Sequence, residues 1–205
     1  MQLELDHIAV AGTDLAAAVG QVEAALSVPM GPGGQHARFA THNRLMGLDP
    51  DLYLEAIAID PDAPPPPDPR WFGLDTFSGA PRLDKWILRC TDIAAVLDVL
   101  PMAGRPVALT RGTLAWTMAV PDDGQLPFDG LFPALIEWHT PDIPGRTLPR
   151  SGCALTGLCV QHPEAAALQA LLAPMLDAPL VRFETGESPA LVAEIATPAG
   201  SVVLR

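Results

Sequence analysis

Twenty-four acidic residues against twelve basic ones leave this 205-residue chain at a formal charge of -12, with 49% apolar residues, 23 prolines and 17 glycines. That length is one large domain or two small ones, and an acidic chain without a basic run is unsuited to nucleic acid or an anionic membrane, which need clustered Lys and Arg. Met1, Gln2, Leu3 and Glu4 do not open a signal peptide and no long apolar run follows, so a folded cytoplasmic protein is expected. Cys90, Cys153 and Cys159, irregularly spaced in apolar context, read as buried thiols rather than a disulfide framework or zinc site. Lys85 is the only lysine.

In chain order, an apolar β-branched run at Ile8 to Val10 predicts a strand. Thr13 and Asp14 then cap a helix from about Leu15 to Leu26, which stops near Pro29, Gly31 and Pro32. Extended pieces follow at Gln35 to Phe39, Asn43 to Gly47 and Leu52 to Ile59, giving β-α-β-β-β over residues 1–60. Residues 61–81 form a proline-rich linker, and the stretch Asp60 to Pro69 is suited to spacing modules rather than packing.

The pattern recurs at an offset of 78, where LDHIAVAGTDLAAAV (5–19) returns as LDKWILRCTDIAAVL (83–97) with six identities in fifteen. A second module over 82–145 is predicted: a strand at Trp86 to Leu88, a helix at Ile93 to Leu100, and strands at Pro106 to Thr110, Thr113 to Val120 and Leu131 to His139. A third, divergent module over 150–205 has a strand at 154–160, a helix from Pro163 to Met175, and strands at Val181 to Glu184, Ala190 to Thr197 and Ser201 to Leu204. The fold class is α+β, as tandem βαβββ modules. Three modules are an odd number for a pairwise architecture, so the third covers an open sheet or pairs across a homodimer.

Several side chains stand out on these elements. Glu55 and Glu137 are lone acids on otherwise apolar strands, where a buried carboxylate demands a partner, ligand or cleft; an edge strand facing water is the ordinary alternative. His7 is on an apolar strand and is either a satisfied core histidine or a site residue. His36, His42 and Asn43 lie in or beside the glycine-rich stretch GPGGQHARFATHNR and are candidates for substrate contact, or for turn structure in which Gly31, Gly33 and Gly34 supply positive φ. Arg111 and Trp116 could line a second half-site for an acidic or aromatic substrate, or be surface and packing residues. The glycines do not form a phosphate loop and no nucleotide cofactor is expected. No GxSxG or other nucleophile context points to hydrolysis.

GGQHARFATHNRLMGL followed by YLEAIAID, together with the module repeat, resembles the glyoxalase-like domain branch of the vicinal oxygen chelate superfamily. The resemblance is best in the first module, moderate in the second through LDKWILRCTDI and FPALIEW, and slight in the third. It implies curved mixed sheets around a cleft, with metal ligands from the first and last strands of each of two modules. Carried over, these positions are His7, Glu55, Lys85 and Glu137. His7, Glu55 and Glu137 suit a divalent metal such as Zn, Mn, Ni or Fe. Lys85 departs from the pattern, which leaves two readings: a three-ligand metal site with Lys85 on the substrate, or no metal, with Lys85 neutralising the carboxylates. The implied function is a metal-assisted lyase, isomerase or dioxygenase acting on a small oxygenated molecule, with Glu55 or Glu137 as base. The alternative is a metal-free protein that binds or sequesters a small molecule.

Overall fold

In the computed structural model, which describes residues 1–205, the first module runs β1 (Leu3–Ala11), α1 (Leu15–Leu26), β2 (Gln35–His36), β3 (Thr41–Asp49) and β4 (Leu52–Ile59). The predicted cap is present: the Asp14 carboxylate accepts from Ala17 N at 2.8 Å, and the helix ends at Ser27 in the left-handed region, φ 55°. The strand expected through Phe39 stops at His36, because Ala40 turns the chain at φ 48° before β3 begins.

The second module repeats this order as β5 (Arg82–Cys90), α2 (Ile93–Val99), β6 (Arg105–Arg111), β7 (Leu114–Val120) and β8 (Ala134–Trp138). Asp92 caps α2 as Asp14 caps α1, accepting from Ala95 N at 3.0 Å. The TD pair shared by the two repeats therefore has one physical job in both.

A short α3 (Pro144–Thr147) leads to the third module: β9 (Arg150–Gln161), α4 (Ala165–Leu172), β10 (Leu176–Asp177), β11 (Val181–Glu184), β12 (Ala190–Thr197) and β13 (Gly200–Leu204). All thirteen strands form one sheet, whose main path is β13-β12-β9-β3-β4-β1-β5-β8-β7-β6. The first two modules meet where β1 and β5 pair antiparallel, and β4 and β8 flank that seam in parallel on either side. The order β3-β4-β1 is thus mirrored by β7-β8-β5. The register sets Ile8 opposite Trp86 and Ala9 opposite Lys85.

The third module covers an open edge within the chain. The start of β9 pairs with β3, Gly47 opposite Arg150, and β10 pairs with the start of β1, Leu3 opposite Leu176. Phe183 meets the edge of the Trp86 ring at 6.1 Å, and Leu158, Val160 and Leu168 share one core of 53 buried residues with Leu3, Ile8 and Trp86. At about 1.5–3 kcal/mol for each large apolar side chain removed from water, this shared core binds the third module to the other two.

The linker does more than space the modules. Beyond Pro69 it enters a single 3-10 turn, Trp71–Gly73, and Trp71, Phe72 and Leu74 are all buried. Trp71 stacks on Phe39 at 4.5 Å and on Phe72 at 5.0 Å, which ties the linker to the first module. Phe72 adopts φ 62°, a conformation that costs a residue with a side chain roughly 1–2 kcal/mol and that this packing sustains. No helix is long and apolar enough to cross a membrane.

Candidate functional site

Alternation along the strands sends one set of side chains into a cleft: His7 from β1, Asn43 and Leu45 from β3, Tyr53 and Glu55 from β4, Trp116 and Met118 from β7, Ile136 and Trp138 from β8. Arg111, at the end of β6, and Trp71 and Phe72 of the linker complete its wall. The free interior is about 30 Å³, room for little more than a pair of waters, at the base of a wider depression. Only a small group reaches the bottom.

The polar floor is continuous. His7 Nδ1–H donates to Asp6 Oδ1 at 2.7 Å, and His7 Nε2 lies 3.6 Å from Glu55 Oε2, an ion-pair rather than a hydrogen-bond distance. Asn43 Nδ2 donates to Glu55 Oε1 at 2.5 Å, while Asn43 Oδ1 accepts from Gly34 N at 2.8 Å and Arg111 Nη1 at 3.3 Å. Arg111 Nη1 also donates to His36 Nε2 at 3.0 Å, so His36 is a neutral tautomer whose Nδ1–H faces Thr41 Oγ1 at 3.1 Å. Trp138 Nε1–H donates to Asp6 Oδ2 at 3.0 Å, and the His7 ring stacks on Tyr53 at 4.2 Å.

These contacts set the charges. Burial opposes protonation of His7, but the hydrogen bonds and charges of Asp6 and Glu55 outweigh it and raise its pKa above the usual 6.5. Burial likewise opposes ionisation of Glu55, yet His7, His36 and Asn43 bring its pKa down to about 2. His36, desolvated and facing the Arg111 charge, is lowered to about 4. The floor therefore favours the protonated form of His7 beside the Glu55 carboxylate and the neutral form of His36 beside Arg111.

Of the residues expected at the site, His7, Glu55, His36, Asn43, Arg111 and Trp116 converge there. Three others do not. Glu137 is on the opposite face of β8 because Ile136 and Trp138 take the cleft-facing positions of a period-two strand. Its Oε2 accepts from Ile93 N at 2.9 Å, at the first turn of α2. Lys85 is buried outside the cleft, where its ammonium is paired with the Asp84 carboxylate and donates to Asp84 O at 3.1 Å. His42 alternates with Asn43 and points away, its Nδ1 3.9 Å from Asp60 Oδ1. Gly33 and Gly34 serve close approach rather than positive φ: a Cβ on Gly33 would lie 1.9 Å from Asn43 O, and one on Gly34 2.8 Å from Arg111 Cδ.

The ligand set for a divalent metal is not assembled by these positions. No three His, Cys, Asp or Glu side chains form a group able to hold an ion. His7 and Glu55 remain as a pair, with the His7 Nδ1 edge committed to Asp6 and one Glu55 oxygen to Asn43. The guanidinium of Arg111 at the same floor further opposes a second cation. Residues that strand-by-strand reasoning missed are Asp6, Tyr53 and Trp138, which strand alternation around Glu55 and the Asp-His dipeptide signal, and Trp71 and Phe72, for which the linker composition carries no signal.

Two mirrored βαβββ modules around a cleft define a fold of the vicinal oxygen chelate class. Residues 5–176 match the model for the glyoxalase-like domain, and the chain belongs to that family. No curated protein matches it by sequence. Among solved structures, a hypothetical protein from Staphylococcus aureus is similar at a TM-score of 0.64 and 15% identity, with 93% of this chain and 88% of that one covered. Methylmalonyl-CoA epimerases are more distant. A Streptomyces coelicolor variant in complex with 2-nitronate-propionyl-CoA has a TM-score of 0.46 at 17% identity over 70% of this chain and 100% of that one. The Mycobacterium tuberculosis enzyme has a TM-score of 0.43 at 16% identity over 65% and 85%.

Proposed function

We propose that this glyoxalase-like protein is an isomerase- or lyase-type enzyme that moves a proton on a small oxygenated molecule without a divalent metal. The observation that carries the reading is the Asp6-His7-Glu55 row at the base of the cleft: an imidazole ring oriented by Asp6 that faces a carboxylate 3.6 Å away, in place of a ligand set. Asp6 fixes the His7 ring through Nδ1 and leaves Nε2–H as the donor. A carbonyl oxygen lodged against Nε2 is polarised and protonated there, while Glu55 takes the proton from the adjacent carbon. A carboxylate with a pKa of about 2 is a weak base at rest. The charge that holds it down is chiefly that of His7, so donation of the His7 proton raises the basicity of Glu55 as it is needed. Trp116, Trp138 and Tyr53 exclude water from the pair.

The test is deuterium incorporation from D2O into small α-oxygenated carbonyl compounds, hydroxyacetone among them, followed by proton NMR on chelator-treated protein. The expected result is exchange that falls by about 10²–10⁴ in His7→Asn and Glu55→Gln. Exchange that disappears on chelation and returns with a divalent ion sinks the metal-free reading. Absence of exchange on every compound leaves binding without turnover as the function of the same cleft.

A further inference from the structure

Arg111 is the one arginine of the cleft wall, and it has no acid partner. Its Nη1 is spent on two neutral acceptors, His36 Nε2 and Asn43 Oδ1, and its other donors have no partner. No carboxylate lies within 4.0 Å of its guanidinium, whereas Arg38, Arg70, Arg82, Arg89, Arg105, Arg146, Arg150 and Arg182 each pair with an acid; Arg44 and Arg205 also lack an acid, but neither lines the cleft.

We propose that the cleft selects a small organic acid, its carboxylate received by the free edge of Arg111. This rests on the proton-transfer reading and names its substrate class. One side-chain amide separates the two functions, since Asn43 touches Arg111 with its oxygen and Glu55 with its nitrogen. A carboxylate on Arg111 therefore places the neighbouring carbon and its oxygen toward Glu55 and His7, which is the arrangement of a 2-oxo or 2-hydroxy acid. The small free interior takes only the reacting end of such a molecule and stops a long chain.

The experiment is calorimetric titration of the whole chain with pyruvate and, as the uncharged counterpart, methyl pyruvate. Pyruvate is expected to bind at least about tenfold more tightly than the ester. Arg111→Lys, which keeps the charge and loses the planar fork, is expected to weaken pyruvate about tenfold. The affinity for the ester is expected to fall less than that for pyruvate. Equal affinity for acid and ester, or pyruvate affinity unmoved in Arg111→Lys, overturns the assignment. So does binding of neither compound. In each case exchange on uncharged carbonyl compounds still decides the proton-transfer reading separately.

Discussion

At the level of single residues the site couples three titrations with opposite consequences for stability. Glu55 is depressed from 4.5 to about 2, so its contribution is present above pH 4.5 and disappears as pH falls toward 2. His36 is depressed from 6.5 to about 4, so its neutral, hydrogen-bonded form favours the fold above pH 6.5, and that contribution is lost as pH falls through 4. His7 is raised, so its contribution is complete below 6.5 and lost as pH rises through its folded value. Thermal unfolding followed from pH 8 to pH 3 is expected to show a stability loss that begins below 6.5. His36→Gln should remove the upper part of that loss and leave the lower part. Exchange activity is expected to decline on the alkaline side as His7 loses its proton, and a rate that keeps rising there would contradict its role as donor. Asn43→Ala leaves one Glu55 oxygen buried without its donor and is expected to cost about 1–3 kcal/mol in urea unfolding.

Among the elements, α2 separates two accounts of Glu137. Its carboxylate supports the helix N-terminus, so Glu137→Ala is expected to lower stability by about 1 kcal/mol while leaving pyruvate affinity and exchange intact. A large loss of ligand affinity at wild-type stability would return Glu137 to the site. Ser27 ends α1 at φ 55°, and Ser27→Gly is expected to stabilise by up to about 1 kcal/mol in the same assay. The modules were legible in the sequence because each pairs a β-branched run with Thr-Asp and alanines, signals that are local. Glu55 was legible for a similar reason, as an acid inside YLEAIAID. Glu137 was misplaced because one residue of parity reverses the face of a strand, and LIEWH has acceptable side chains in either register. Trp71 was hidden because its role arises from tertiary packing between Phe39, Phe72 and His36, and no periodicity marks a turn in a linker.

For the whole molecule the question is how three modules make one body. A sheet of two mirrored modules would leave β3 exposed at one edge and Trp86 without Phe183, and the third module answers both needs. Residues 1–149 alone are therefore expected to lose the cooperative unfolding transition and to bind a hydrophobic dye, measured by calorimetry and fluorescence; a sharp transition in that fragment would show the first two modules to be self-sufficient. The acidic excess, which at first only argued against polyanionic partners, also sharpens the meaning of Arg111: with 24 acids in the chain, a cation left unpaired in a cleft is a selective feature of that cleft.

Three of the four tryptophans, Trp71, Trp116 and Trp138, stand on the cleft wall, and the fourth, Trp86, is buried elsewhere with its N–H donating to Leu131 O at 2.7 Å. The protein consequently carries its own optical probe: emission from the cleft trio should respond to occupancy and to quenchers, while Trp86 supplies a steady background within the same spectrum.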